Sequence, residues 1–335
     1  MFMRTHVISP RLWCVLFLGM VLSLSACGQA NSSSASTATP GVTPTPTVAV
    51  DMYGTPISFP KTAPQRIISL APSVSEILGA LQLQKRVVGV DALTNYPASM
   101  ASLKKISDKS GNISIESIVA LKPDLVLTTG GLSKKYNTQL MQLGLNVIDL
   151  PSPNVSQTLD QILLVGRLTY TEDTAQALVK QMQQQLTQIE QSVKGTAPSK
   201  VLLEIDDSTP GKPYVFGGGS FGDEMLQYAN GTNIFHANST NGGYPQVSDE
   251  AIIAANPQYV VLTEDPLYGG QPSVVYKRAN WGGIAAVKSH QVYHINSDIT
   301  QRPGPRIVEG IRCLAQVIHP DKFIGALPDY CSASV

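Results

Sequence analysis

Apolar residues in this chain come in short runs, cut at regular intervals by proline, glycine and small polar residues. The first run in the body of the sequence is Ile67-Ile68-Ser69-Leu70 after Arg66, stopped by Ala71-Pro72-Ser73. A run that short, so bounded, predicts a buried strand. Ser73, with Glu76 three residues on, predicts a capping box that opens a helix through Leu81. The unit then recurs, with strands expected at 86–90, 125–129 and 147–150 and helices between them. Such alternation predicts βαβ units and a mainly parallel sheet. One segment breaks the rhythm. From Glu172 to Lys194 there is no glycine or proline, and Ala175, Leu178, Val179, Met182, Leu186, Ile189 and Val193 fall at steps of three and four. This predicts one amphipathic helix, about 35 Å long at 1.5 Å per residue, ended by Gly195 and Pro198. Its place between two α/β halves predicts a rigid connector. Beyond it the alternation resumes with strands expected at 201–205, 259–263 and 292–295. A turn at Gly217-Gly218-Gly219-Ser220 opens a helix to Tyr228, and a last helix is expected over 305–318.

The halves echo each other. Residues 113–127 (ISIESIVALKPDLVL) align without a gap on 247–261 (VSDEAIIAANPQYVV), at a constant offset of 134. Each copy has a serine (Ser114, Ser248) placed to cap a helix, a glutamate in its first turn (Glu116, Glu250) and a proline (Pro123, Pro257) to stop it before a strand. Two related α/β lobes follow. A carboxylate at a helix start complements the macrodipole. Two at equivalent points can also meet two basic sockets on a partner that spans both lobes.

The N-terminus follows a different pattern. Arg4 and Arg11 flank an apolar stretch, Leu12 to Leu24, too short for a comfortable membrane span, and Leu24-Ser25-Ala26-Cys27 ends it. These are the marks of a signal peptide. The tetrapeptide resembles the lipobox of bacterial lipoproteins, which implies that Cys27 carries lipid and becomes the mature N-terminus. Residues 28–50 are rich in Ser, Thr, Ala and Pro and carry no charge, the composition of an extended tether. The expected organisation is a leader over 1–26, a lipid-anchored tether over 27–50, a first lobe over 51–168, the connecting helix over 169–195 and a second lobe over 196–335.

Composition changes this picture little. With 335 residues, 43% hydrophobic and 14% charged, the chain is an ordinary globular one. Losing Arg4 and Arg11 with the leader leaves acidic residues in slight excess, which speaks against nucleic acid or a polybasic membrane patch as partner. With Cys14 in the leader and Cys27 lipidated, Cys313 and Cys331 can close a disulfide in an exported chain. No catalytic residue, metal site or resident cofactor is expected. His290 and His294 would lie about 13 Å apart on a strand. The glycine turn lacks the lysine of a phosphate-binding loop, and no Gly-x-Ser-x-Gly elbow occurs. An extracytoplasmic hydrolase or a structural lipoprotein stands as the remote alternative.

Several motifs, in order, resemble the periplasmic-binding family for iron–siderophore complexes, haem and cobalamin. They are Ile68-Ser-Leu-Ala-Pro-Ser-Val-Ser-Glu76, Arg86-Val-Val-Gly-Val90, the Ser-x-Glu…Lys-Pro-Asp-Leu-Val segment and Arg302-Pro-Gly-Pro-Arg306. The resemblance implies two Rossmann-like α/β lobes joined by a single long rigid helix, with a ligand cleft between them. It implies a non-enzymatic, extracytoplasmic lipoprotein, monomeric, that delivers its ligand to an ABC permease dimer driven by an ATPase. Glu116 and Glu250 would dock on that permease. Cobalamin-binding members imply a corrinoid as cargo, with haem or a ferric siderophore as alternatives. They place ligand contacts at Tyr96, Pro97, Tyr214 (with Phe216 as its rival under a shifted alignment), Tyr244, Asp298 and Arg302. The chain departs from those members in lacking an aromatic over 107–112 and in having Tyr244 in place of a tryptophan. The cysteine expected to partner Cys313 is replaced by Ala229, leaving Cys331.

Overall fold

The computed structural model describes residues 49–131, 134–151, 154–264 and 270–332. Cys27, the leader and nearly all of the tether lie outside the described residues. Four strands form the first sheet: β1 (Ile67–Ser69), β2 (Val87–Val90), β3 (Leu125–Thr129) and β4 (Val147–Leu150), in the order β2-β1-β3-β4 and all parallel. The second sheet holds β5 (Ser199–Asp206), β6 (Tyr214–Val215), β7 (Gly231–Asn233), β8 (Tyr259–Leu262) and β9 (Val292–His294). Its order is β6-β5-β8-β9, with β7 also on β5, and only β6 among the described strands runs antiparallel. The strands are short and apolar because helices cover both faces, as parallel sheets require. β1 and β3 are buried at every position.

The 134-residue echo holds down to hydrogen bonds. Ile67 faces Leu125 between β1 and β3, and Val201 faces Tyr259 between β5 and β8. The Arg66 amide donates to the Asp124 side chain at 2.9 Å, and the Lys200 amide to the Gln258 side chain at 2.8 Å. Ser114 and Ser248 cap the helices Ile115–Ala120 and Asp249–Ala255. Lys122 and Asn256, at φ 46° and 48°, turn the chain out of each helix before its proline.

Two helices, not one rod, carry the chain from the first sheet to the second. Val155–Thr169 ends at Tyr170 in the left-handed conformation, and the long helix Glu172–Val193 follows at once and packs back on it. The seven apolar positions read from the sequence form its inner face, with Leu178 half-buried and the rest buried. That face needs a partner along its length, which is why the helix is not free-standing. It also packs on the last helix, Ile307–Ile318, and touches the helix Phe221–Tyr228. Cys313 of that helix is joined to Cys331, with Cα atoms 5.7 Å apart. Among the described residues no helix is long and apolar enough to cross a membrane.

The expected capping box at Ser73 does not form. Helix α1 (Pro72–Ala80) starts two residues earlier than such a box requires, with Pro72 at its first position and Ala71 as an N-cap that supplies no side-chain bond. Proline suits that position because its missing N–H has no helical partner there anyway. Glu76 is drawn away into an ion pair instead.

Candidate functional site

A cleft of about 410 Å³ opens between the lobes. The carboxyl ends of parallel strands meet there, as is usual for ligand sites in open α/β sheets. From the first lobe come Ala71, Pro72 and Ser73 at the start of α1, and Thr129 and Gly130 at the end of β3. Opposite them stand Ile205 of β5, the rings of Phe216, Phe221 and Tyr244, and the segment Gln301-Arg302-Pro303. One wall is therefore small and polar, and the other is aromatic.

The aromatic wall is built by close packing. Phe216 and Tyr244 meet with centroids 5.7 Å apart and planes tilted by 57°, a favourable arrangement for aromatic pairs. Gly222 lets the ring of Phe216 lie flat on the helix Phe221–Tyr228, since a Cβ there would run into the ring. Burial pushes the Tyr244 phenol above its ordinary range. The glycine turn before this helix has a packing role. A side chain at Gly218 would strike the carbonyl oxygen of His236, and Ser220 caps the helix by accepting from the Asp223 amide.

Of the expected ligand residues, Phe216, Tyr244 and Arg302 line this cleft. Tyr214 sits half-buried on β6, outside its lining. Tyr96 and Pro97 border a separate depression together with Glu76, Arg306 and the long helix. The Arg306 guanidinium lies 4.1 Å from the Tyr96 ring centre. Asp298 binds Arg302 at 2.6 Å, and both are engaged by Asn95 of the first lobe, at 2.8 Å to Asp298 and 2.7 Å to Arg302.

These contacts belong to a clasp that joins the lobes. Glu76 of α1 is 2% exposed and receives a two-pronged ion pair from Arg306, at 2.9 and 2.6 Å, with Arg302 3.7 Å away. Burial pushes the Glu76 carboxyl up, against the pull of Arg306 and then Arg302. A second tie runs from the Val155 amide to Glu224 at 2.7 Å. Sequence reading missed Asn95, Phe221 and the pairing of Glu76. Arg306 was marked as part of a motif, but nothing local points to a partner 230 residues away.

Glu116 and Glu250 are exposed in the first turns of their capped helices. Hydrogen bonds from its own amide and from Ser248 hold the Glu250 carboxyl below its usual range. His290 and His294 do not converge. His294 binds the Glu264 carbonyl at 2.7 Å, and His290 packs against Tyr276 with the rings tilted by 45°. Three carboxylates, Glu204, Asp207 and Glu264, do converge, each offering an oxygen within 4.8 Å of the others. Arg278 already supplies the positive charge there, binding Glu204 at 2.7 and 2.6 Å and Asp207 at 2.7 Å.

Comparison with known proteins matches residues 67–299 to the periplasmic binding protein family. An uncharacterised ABC transporter substrate-binding lipoprotein of Bacillus subtilis, YvrC, is 32% identical over 93% of this chain and 98% of its own length. A vitamin B12-binding protein of Vibrio cholerae is 27% identical over 78% of this chain and 91% of its own. Among solved structures, a possible iron-binding periplasmic solute-binding protein of Staphylococcus epidermidis superposes with a TM-score of 0.68. It is 30% identical over 77% of this chain and the whole of that one.

Proposed function

The chain belongs to the periplasmic binding protein family, and on that premise we propose that it captures a large, flat, amphipathic ligand for an ABC importer and works by binding and delivery without chemistry. The observation that carries this reading is the inter-lobe cleft, with Phe216, Phe221 and Tyr244 on one wall and Arg302 at its edge. Aromatic walls supply contact area, and the few polar groups fix orientation. A cleft of about 410 Å³ grips one face or edge of such a ligand and leaves the rest in solvent. A corrinoid is the preferred cargo, in keeping with the vitamin B12-binding relative. Haem or a ferric siderophore is the second reading, in keeping with the likeness to a possible iron-binding protein.

Delivery follows from the two exposed carboxylates. Glu116 and Glu250 dock the lobes on paired basic sockets of a permease dimer, while lipid on Cys27 and the uncharged tether keep the domain at the membrane. A tether raises the effective concentration of both carboxylates near the permease without any further contact. The clasp and the paired crossing helices support small lobe movements during the cycle, unlike hinged closure.

Calorimetric titration of the purified chain with cobalamin, haem and ferric siderophores tests the cargo. Saturable binding of one class is expected, and no binding of any of them rejects the reading. Reversing both Glu116→Lys and Glu250→Lys should abolish uptake in cells while leaving ligand affinity unchanged. Intact uptake by a folded double variant rejects the docking role.

A further inference from the structure

We infer that the ligand carries an oxyanion, a carboxylate or a phosphate, seated on the N-terminus of α1 and held by the amides of Ser73 and Val74 and the hydroxyl of Ser73. The inference rests on the inter-lobe cleft being the ligand site, and it names the chemistry that the first-lobe wall recognises.

Helix α1 opens into the cleft, where Ala71, Pro72 and Ser73 form part of the lining. Its first backbone bond is from the Ser75 amide to the Ala71 carbonyl at 3.0 Å. Pro72 has no N–H, and the Ser73 and Val74 amides have no acceptor among the described residues. The N-cap, Ala71, has no side-chain oxygen to offer them. A helix start left open in this way presents donors and the positive end of the macrodipole to whatever fills the space before it.

Ser73 supplies the independent observation. It is 4% exposed, it faces the cleft, and its hydroxyl has no hydrogen-bond partner among the described residues. A hydroxyl on the cleft lining that is not tied to a protein acceptor is free to bond a ligand acceptor. The other serines of this stretch are satisfied, with Ser75 bonded to Ser69 at 2.8 Å and to Thr94 at 2.9 Å. The two amides can only donate and the Ser73 hydroxyl can donate beside them, so the group that satisfies all three is an acceptor.

The surrounding charge leaves room for a negative group. Glu76 is paired with Arg306 and Asp298 with Arg302, so neither carboxylate adjoins the seat uncompensated. Arg302 also lines the cleft. The corresponding early helix of the second lobe, Phe221–Tyr228, offers no such seat, because Ser220 caps it and Asp223 sits in its first turn.

The test follows the Ser73 and Val74 amide resonances of the isotope-labelled mature chain during titration with inorganic phosphate and with acetate. Both resonances should move saturably in the millimolar range, and the stronger anion tells a phosphate-bearing cargo from a carboxylate-bearing one. Ser73→Ala should weaken the response about tenfold, the loss of one charge-assisted hydrogen bond. Ser73→Asp, whose own carboxylate takes the seat, should erase it while the rest of the spectrum stays native. Amides that ignore both anions, or that respond equally in Ser73→Asp, overturn the inference. A second arm compares haem with its dimethyl ester. The free acid should bind at least about tenfold more tightly, with the difference gone in Ser73→Asp. A ferric tris-hydroxamate, which has neither group, overturns the inference if it binds as tightly as the best oxyanion-bearing ligand. If the amides respond to phosphate but no corrinoid, haem or siderophore binds, the cargo reading fails and the seat stands.

Discussion

Glu264 is a residue whose chemistry departs far from ordinary. It follows β8, is 4% exposed, and accepts from the Gly270 amide at 2.8 Å with one oxygen while the other has no partner among the described residues. Burial, and next the nearby charge of Glu204, push its carboxyl up to about 7. In the unfolded chain it titrates near the usual 4.5. Between those values the folded protein keeps a proton that the unfolded chain has released. Stability from this group is therefore complete below the unfolded value and is lost as pH rises through about 7. The loss is on the order of 3 kcal/mol. Urea titrations from pH 4.5 to 8 should show this decline for the wild type and a flatter profile for Glu264→Gln; parallel profiles would refute the assignment. At this scale the sequence was partly legible. Phe216, Tyr244 and Arg302 reach the cleft, and the serine caps at 114 and 248 form as spacing suggests. The Ser73–Glu76 pair was misread because Pro72 and a distant arginine decide its fate, and local spacing carries neither fact.

Element boundaries follow the apolar runs closely: β3 and β4 begin and end where the pattern does, and the long helix spans Glu172–Val193. What the pattern could not give is the partner of each face. The helix Val155–Thr169 turns out to share the crossing, and the two meet where Gly166 touches Ala175. A Cβ at Gly166 would lie 2.5 Å from the Ala175 methyl. Gly166→Ala should therefore destabilise the fold by about 1–3 kcal/mol through overpacking, despite the gain in helix propensity. Combining it with Ala175→Gly should recover most of that loss. Denaturant midpoints of the two variants check both outcomes; an unaltered Gly166→Ala midpoint would show that the helices can move apart freely.

For the whole molecule, two lobes were readable because a duplicated pattern needs no long-range information. The clasp between them was not, since ion pairs across 230 residues leave no periodic trace. Removing one partner of a buried pair leaves the other charged and unmatched. Glu76→Gln should cost about 3–5 kcal/mol, and adding Arg306→Met should restore a good part of it. Equal stability of wild type and Glu76→Gln in urea would mean that the lobes hold together by other contacts.

The 134-residue echo sets the outside of the molecule against its inside. Ser-capped helices at Ile115–Ala120 and Asp249–Ala255 present Glu116 and Glu250 as a matched pair, while the cleft has unlike walls. A two-fold partner that grips by the matched pair finds the same handles whichever way round the protein lands. Were docking to run through these two carboxylates as proposed, either landing would be productive, doubling the share of useful encounters. Each presents the cargo with its ends exchanged, so a two-fold partner must accept the cargo in either sense.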